Sequence, residues 1–395
     1  YNVHYQKPQI NIFCMFCASM LVCSVPMEHD DDDHRVHGSC VSESPISVKH
    51  TTNIPKEFIW PQGDLVHAHE ELKEPVVDLE GFFKGDEVAT NHAAKLVREA
   101  CSNHGCFQVT NHGVDSRLIC IAHDHINAFF KLPIDKKQRA QKKPCSLWGY
   151  SSAHHADRFS SKLPWKETLS FNFHESASHP VVADFFKSSL GKEFQETGLV
   201  FQKYCESMNK LSLAIMEILG ISLGVDRLCY KEFFQDSSSI MRCNYYPPCQ
   251  EPDLAFGTGP HCDPTSLTIL HQDQVGGLEV FVNNKWQSVR PRHDALVINI
   301  GDTFTALTNG RYKSCLHRAV VNRYKERISL AFFVCPREDK VIKPPRDLVC
   351  REGPKKYPEF TWSDLHEFIL KHYRADDATL QNFTKWFLSS KLPNY

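Results

Sequence analysis

The stretch "GPHCDPTSLTILHQDQVGG", residues 259–277, carries two His-x-Asp pairs, His261/Asp263 and His271/Asp273, at the two ends of one apolar run. Such a run, bounded by Pro and Gly, reads as a β-strand, in which residues i and i+2 share a face. Each pair therefore offers an imidazole and a carboxylate side by side, the donor types of a metal site. His261 and His271 are ten residues apart, roughly 33 Å of extended chain, so the pairs do not serve one ion. His261/Asp263 stands at the strand entrance, where Pro260 and Pro264 limit the backbone. His271/Asp273 stands at the exit, beside the Gly turn. The backbone argument leans towards the first pair and leaves the second open. Two more pairs, His29/Asp31 and His155/Asp157, fall in an acidic tail and a Ser/His-rich stretch. Neither has a strand to hold ligands rigidly.

Outward from this stretch, residues 239–335 break into short β-branched and aromatic runs: "SIMRCNYY", "SLTILH", "GLEVFV", "WQSV", "ALVINI", "LHRAVV" and "ISLAFFV". Short runs at this spacing, punctuated by Gly, Pro and Asn, predict an antiparallel sandwich or barrel. Helices flank it. An apolar stripe of Ala94, Val97, Ala100 and Cys101 predicts a helix over 92–105 capped by Gly105. A short β-like run precedes it at 74–82, a strand follows at 106–113, and a second helix is expected over 116–131. A long helical pattern spans 193–223, and the chain returns to helix at 363–373 and 376–388. The layout is α+β with one principal core. A small barrel holds a ligand at its mouth.

The chain has 395 residues, 42% of them hydrophobic, enough for a large core. A formal charge of −2 gives no electrostatic reason for a nucleic-acid or anionic-membrane partner, so a small molecule is expected. The 16 cysteines are irregularly spaced, and several sit in strand-like runs; they are read as reduced thiols of a cytoplasmic protein. Cys14 and Cys17 form a CxxC with no second pair. The 14-residue apolar stretch "INIFCMFCASMLVC" is shorter than the about 20 residues that span a bilayer. It is read as translated sequence upstream of a start at Met15, Met20 or Met27. The polar, His/Asp-rich segment after it is expected to be a tail.

His317, in "SCLHRAVV", lies 54 residues beyond Asp263 and supplies a distal partner. Two neutral imidazoles and one carboxylate match the facial triad of non-haem Fe(II) oxygenases, which leaves coordination positions open. A structural zinc site would want a closed set of four ligands, often thiolates. Ten residues past His317 comes "RIS", Arg327 and Ser329. A reverse turn at "NRYKE" would pair Val321 with Arg327 and place Arg327 about 13 Å along the sheet from His317. A five-carbon dicarboxylate would bridge that gap, one end on iron and the other on the guanidinium, with a hydrogen bond from Ser329.

Two blocks, "NYYPPCQEPDLAFGTGPHCDPTSLTILHQDQVGGLEVFVNNKW" and "NGRYKSCLHRAVVNRYKERISLAFFVCP", resemble the plant 2-oxoglutarate- and Fe(II)-dependent dioxygenases. Within them the chain is most similar to the gibberellin 20-oxidases, through "LPWKETLSF" at 163–171, and the resemblance also takes in "IPKEFIWP" at 54–61. The resemblance covers about residues 55–390. It implies a double-stranded β-helix, or jelly roll, framed by helices. It puts iron ligands on His261, Asp263 and His317, against His271, and 2-oxoglutarate contacts on Arg327, Ser329, Asn244 and Tyr246. It also implies dioxygen as oxidant, ascorbate as reductant and a diterpenoid substrate oxidised at carbon 20. Trp165 is expected to pack on the fused rings and Lys166 to meet a substrate carboxylate; a packed edge strand is the other reading of that stretch. The organisation expected is a tail over 1–55, a mixed helical region over 56–235, the jelly roll over 236–340 and a helical segment over 341–395. Rival readings are a gibberellin 3- or 2-oxidase, a flavonoid dioxygenase, or a β-barrel binding protein without iron.

Overall fold

The computed structural model describes residues 54–143, 146–152, 162–175, 178–372 and 376–391. The tail to residue 53, with Cys14/Cys17, the candidate starts and His29/Asp31, lies outside the described residues, as does His155/Asp157.

Thirteen strands build two sheets: β1 (Glu70–Glu71), β2 (Val76–Asp78), β3 (Cys106–Thr110), β4 (Gly149–Ser152), β5 (Glu167–His174), β6 (Ser238–Tyr246), β7 (Phe256–His261), β8 (Leu267–Gln272), β9 (Leu278–Val282), β10 (Lys285–Ser288), β11 (Leu296–Ile300), β12 (His317–Val320) and β13 (Arg327–Cys335). One sheet has the order β2-β3-β11-β8-β13-β6-β5-β4 and the other β1-β10-β9-β12-β7. From β6 to β13 the chain passes repeatedly between the sheets, the winding of a jelly roll. Leu270, Val297 and Ala331 of the first sheet share a buried cluster with Leu278 and Val280 of the second, so the two pack face to face.

Alternation along the strands sorts the side chains. Leu267, Ile269, Leu330 and Phe332 join the helix Gln195–Leu223 in the main core, while Thr268, Gln272 and Ser329 face the interior between the sheets. Phe186 and Phe201 stack at 5.7 Å, and Phe171 of β5 meets both edge-on at 5.2 and 5.5 Å. Each such aromatic pair contributes about 0.5–1.5 kcal/mol beyond area burial. The helix Glu87–Asn103 starts five residues before the predicted one because the Asp86 carboxylate accepts from Val88 and Ala89 N–H. Its far end closes as expected: Gly105, at φ 73°, donates its N–H to the Ala100 carbonyl at 3.0 Å.

Three expectations need correction. The reverse turn at 322–326 does not form a hairpin: β12 pairs with β7 and β9, whereas β13 pairs with β6 and β8 in the other sheet. The Asn322 side chain accepts from Tyr324 and Lys325 N–H, and this local turn carries the chain across. Second, His261 does not open the strand at 267; it closes a strand of its own, β7. The run "FGTGPH" lacks alternation because Gly257 and Gly259 make room for rings. A Cβ at Gly257 would lie 2.4 Å from Tyr246, and one at Gly259 2.3 Å from Trp60. Pro260 is tolerated because β7 is the edge of its sheet. Third, β2 to β5, from before residue 236, extend the sheet that β6, β8, β11 and β13 form.

His271 faces the helices, where its Nδ1 lies 2.7 Å from His123 Nε2. Burial, then His123 and His112, pushes His271 down to about 3. Burial pushes His123 down to about 4, against the opposing charge of Asp124. An unfolded histidine titrates near 6.5, so between those values the unfolded chain binds more protons and stability is lost as the pH is lowered. Lowering the pH from 7 to 5 should cost on the order of 2 kcal/mol per histidine. In denaturant titrations, His271→Gln should show a shallower loss over this window than the parent chain. Equal slopes would contradict the neutral buried pair.

Candidate metal centre

His261 at the end of β7 and His317 at the start of β12 are cross-strand partners, with ring centroids 4.3 Å apart. Each ring is held from behind in the same way. His261 Nδ1 lies 2.9 Å from the Gly259 carbonyl oxygen, and His317 Nδ1 3.0 Å from that of Cys315. A carbonyl only accepts, so both rings donate from Nδ1 and turn Nε2 inward. Those nitrogens lie 3.5 and 4.0 Å from one atom, Asp263 Oδ1. The other carboxylate oxygen accepts from Thr268 Oγ1 at 2.6 Å.

Asp263 is not on a strand; the turn after β7 aims it. Its carbonyl accepts from Asp302 N–H at 2.8 Å, and Cys262 N–H donates to the Asp376 carbonyl at 3.1 Å. Burial acts to raise the Asp263 carboxyl, but His317, His261 and Thr268 outweigh it and hold it well below the usual carboxylate range. Burial, then His261, presses His317 down to about 4 despite Asp263. One anionic oxygen and a neutral imidazole are therefore ready at neutral pH, and a cation would displace little proton from them. Among the described residues, His261, Asp263 and His317 are the one group of three or more His, Cys, Asp or Glu whose ligand atoms lie within 4.8 Å of one another. Asp273 stands apart, accepting from Ile328 and Val275 N–H.

Across the interior, β13 places Arg327 beside Tyr246, and Ser329 between Asn244 and Gln272. Arg327 is 3% exposed. Its Nη2 donates to Gln272 Oε1 at 3.0 Å, its Cζ lies 5.0 Å from the Tyr246 ring centroid, and its Nε and Nη1 have no hydrogen-bond partner. Asn244 donates to Ser329 Oγ at 3.2 Å, leaving Asn244 Oδ1 unpartnered. A buried guanidinium without an anion is costly, so this corner fits the far carboxylate of a small diacid. Gly277, at φ 104°, leaves room for the arginine stem; a Cβ there would lie 3.5 Å from Arg327 Cδ and 2.7 Å from the Val320 carbonyl oxygen.

Lys166 donates to Thr258 Oγ1 on the opposite sheet at 2.8 Å. Burial acts to raise the Tyr246 phenol, but Lys166 and Arg327 together hold it below its usual value. The two cations thus flank Tyr246. Trp165 departs from expectation. It is 2% exposed, meets Phe58 edge-on at 5.0 Å and donates its indole N–H to the Pro247 carbonyl at 3.2 Å. With no ring face open to a ligand, it packs. Sequence reasoning missed Thr268 and Gln272; polar residues at alternate positions of the apolar "LTILHQ" were the signal available.

A fold of this winding with this triad defines a non-haem iron oxygenase. The chain belongs to the 2OG-Fe(II) oxygenase superfamily, whose family model matches residues 237–336, and the N-terminal model of a non-haem dioxygenase in morphine synthesis matches 75–190. It is 59% identical over 334 residues to gibberellin 20 oxidase 2 of Oryza sativa subsp. indica, covering 84% of this chain and 85% of that protein. It is 52% identical over 377 residues to gibberellin 20 oxidase 3 of Arabidopsis thaliana, covering 93% and 98%. The crystal structure of JOX2 in complex with 2OG, Fe and JA superposes with a TM-score of 0.71 at 32% identity, covering 87% of this chain and 95% of that one. The protein is an Fe(II)- and 2-oxoglutarate-dependent dioxygenase.

Thr268→Val should weaken Fe(II) retention about tenfold, the lower end of what losing a partner of a metal ligand costs. His261→Ala should abolish succinate formation, whereas His271→Ala should retain it. Iron content and succinate release after gel filtration check all three, and the reverse ranking of the histidine variants would contradict the geometry.

Proposed function

We propose that this chain is a gibberellin 20-oxidase, oxidising a diterpenoid precursor successively at carbon 20 until that carbon is lost. The observation that carries the reading is 52–59% identity to proteins of that name across most of the chain. In this reading His261, Asp263 and His317 hold Fe(II) on one face, supported by the shared approach of both Nε2 atoms to Asp263 Oδ1. Arg327, Ser329, Asn244 and Tyr246 hold 2-oxoglutarate, supported by the unpartnered guanidinium nitrogens.

Bound iron and 2-oxoglutarate supply the oxidising chemistry, in which dioxygen decarboxylates the cosubstrate to succinate and carbon dioxide and ascorbate keeps the metal reduced. The chain supplies placement. Strands from both sheets position the triad, and Thr268 fixes which carboxylate oxygen is presented. Lys166 is the cation for a substrate carboxylate, and Trp165 anchors the segment that carries it. We place the enzyme in the cytoplasm, supported by the thiol state of the cysteines, all of them free among the described residues. No described helix is long and apolar enough to cross a membrane.

Purified protein with Fe(II), 2-oxoglutarate, ascorbate and a panel of gibberellin precursors should give products oxidised at, and then lacking, carbon 20. Hydroxylation elsewhere on the ring system would contradict the reading. Arg327→Ala should raise KM for 2-oxoglutarate by roughly two orders of magnitude, as expected when a buried charged partner is removed. An unchanged KM would remove Arg327 from the cosubstrate site.

A further inference from the structure

Each cation assigned above is followed or preceded in the chain by a glutamate that turns to the opposite side of the backbone. Glu326, before Arg327, accepts from the Tyr245 hydroxyl at 2.9 Å and pairs with Lys131. Glu167, after Lys166, accepts from the Tyr150 hydroxyl at 2.7 Å and from Lys137 Nζ at 2.5 Å. The two Lys–Glu–Tyr groups are built alike, and both lysines come from one helical corner. Lys131 follows the helix Ser116–Phe130, and Lys137 lies in the short helix Ile134–Gln138. Lys137 also donates to the Phe130 carbonyl at 3.2 Å, tying the corner to itself. Phe130 in turn stacks on Tyr245 at 5.3 Å. Glu326 and Glu167 bond to the corner while Arg327 and Lys166 reach Gln272 and Thr258 in the interior, so holding each glutamate against the corner restrains the neighbouring cation.

We propose that this corner is a common positioning element for Arg327 and Lys166, setting the site for cosubstrate through Lys131–Glu326–Tyr245 and for substrate through Lys137–Glu167–Tyr150. The proposal rests on the assignment of those two cations to 2-oxoglutarate and to the substrate carboxylate. The side chains of the corner bond to one another on the far side of the backbone from Arg327 and Lys166. Their effect is to restrict where each cation sits, so each group governs the Michaelis constant of one ligand.

The experiment measures KM for 2-oxoglutarate and for a gibberellin precursor, kcat and the thermal midpoint in Glu326→Gln, Glu167→Gln, Arg327→Ala and Lys166→Ala. Glu326→Gln should raise KM for 2-oxoglutarate about tenfold, the cost typical of losing an orienting partner, and leave KM for the precursor unchanged. Glu167→Gln should do the opposite. The charge-reversed pair Lys131→Glu with Glu326→Lys should recover part of the first loss. Should Glu167→Gln fail to fold because Lys137 is left buried and unpaired, Lys137→Met with Glu167→Met removes both charges together and is held to the same criterion. If the alanine variants move their own ligand's KM while the glutamate variants move neither, the positioning role is overturned and the site assignment stands. It is likewise overturned if both KM values rise together with a fall in thermal midpoint. If the alanine variants themselves leave KM unchanged, the assignment and the proposal fall together.

Discussion

Two backbone carbonyls, those of Gly259 and Cys315, carry the constraint on which this molecule depends. Each accepts the Nδ1 proton of a histidine two residues further on, and so turns the ring's Nε2 towards Asp263. The carbonyls are fixed because β7 and β12 pair with each other in one sheet. The carboxylate is fixed from the other sheet, by Thr268 of β8. The candidate metal centre therefore sits where the two layers of the jelly roll meet. Loss of packing between them would separate ligands before any ligand was altered.

The same two-layer logic places the second half of the site. Arg327, Ser329 and Asn244 lie on neighbouring strands of the larger sheet, on its interior face, opposite the histidines. Arg327 is buried there with two guanidinium nitrogens unpartnered, an arrangement that costs stability. The phenylalanine cluster around Phe171 and the long helix beneath the sheet contribute stability that this corner withholds. Function is thus concentrated on one face of the sheet and stability on the other.

Much of this was readable from residue types. The helices at 116–131 and 193–223 and seven of the strands followed from periodicity, because their apolar faces are uninterrupted. Donor chemistry drew attention to His317 and Arg327, but the hairpin spacing assumed between them does not form, because β12 and β13 lie in different sheets. What was hidden was hidden for physical reasons. β7 carries His261 but shows no alternation, since its glycines answer to Tyr246 and Trp60, rings distant in the chain. The crossing of the chain from β12 to β13 is invisible locally, because a tight turn serves a hairpin and a sheet change equally well. Trp165 looked like a ligand platform because burial is a property of its neighbours, Phe58 among them, and not of its own segment. Lys131 and Lys137 resemble ordinary surface lysines until the fold brings glutamates to them.

The most direct measurement is X-ray absorption at the iron edge of protein loaded with Fe(II) under argon. The account predicts one ion per chain with two imidazole nitrogens in its shell, falling to one in either His261→Ala or His317→Ala. A shell with fewer than two imidazoles in the parent chain, or one that survives both substitutions unchanged, would contradict it.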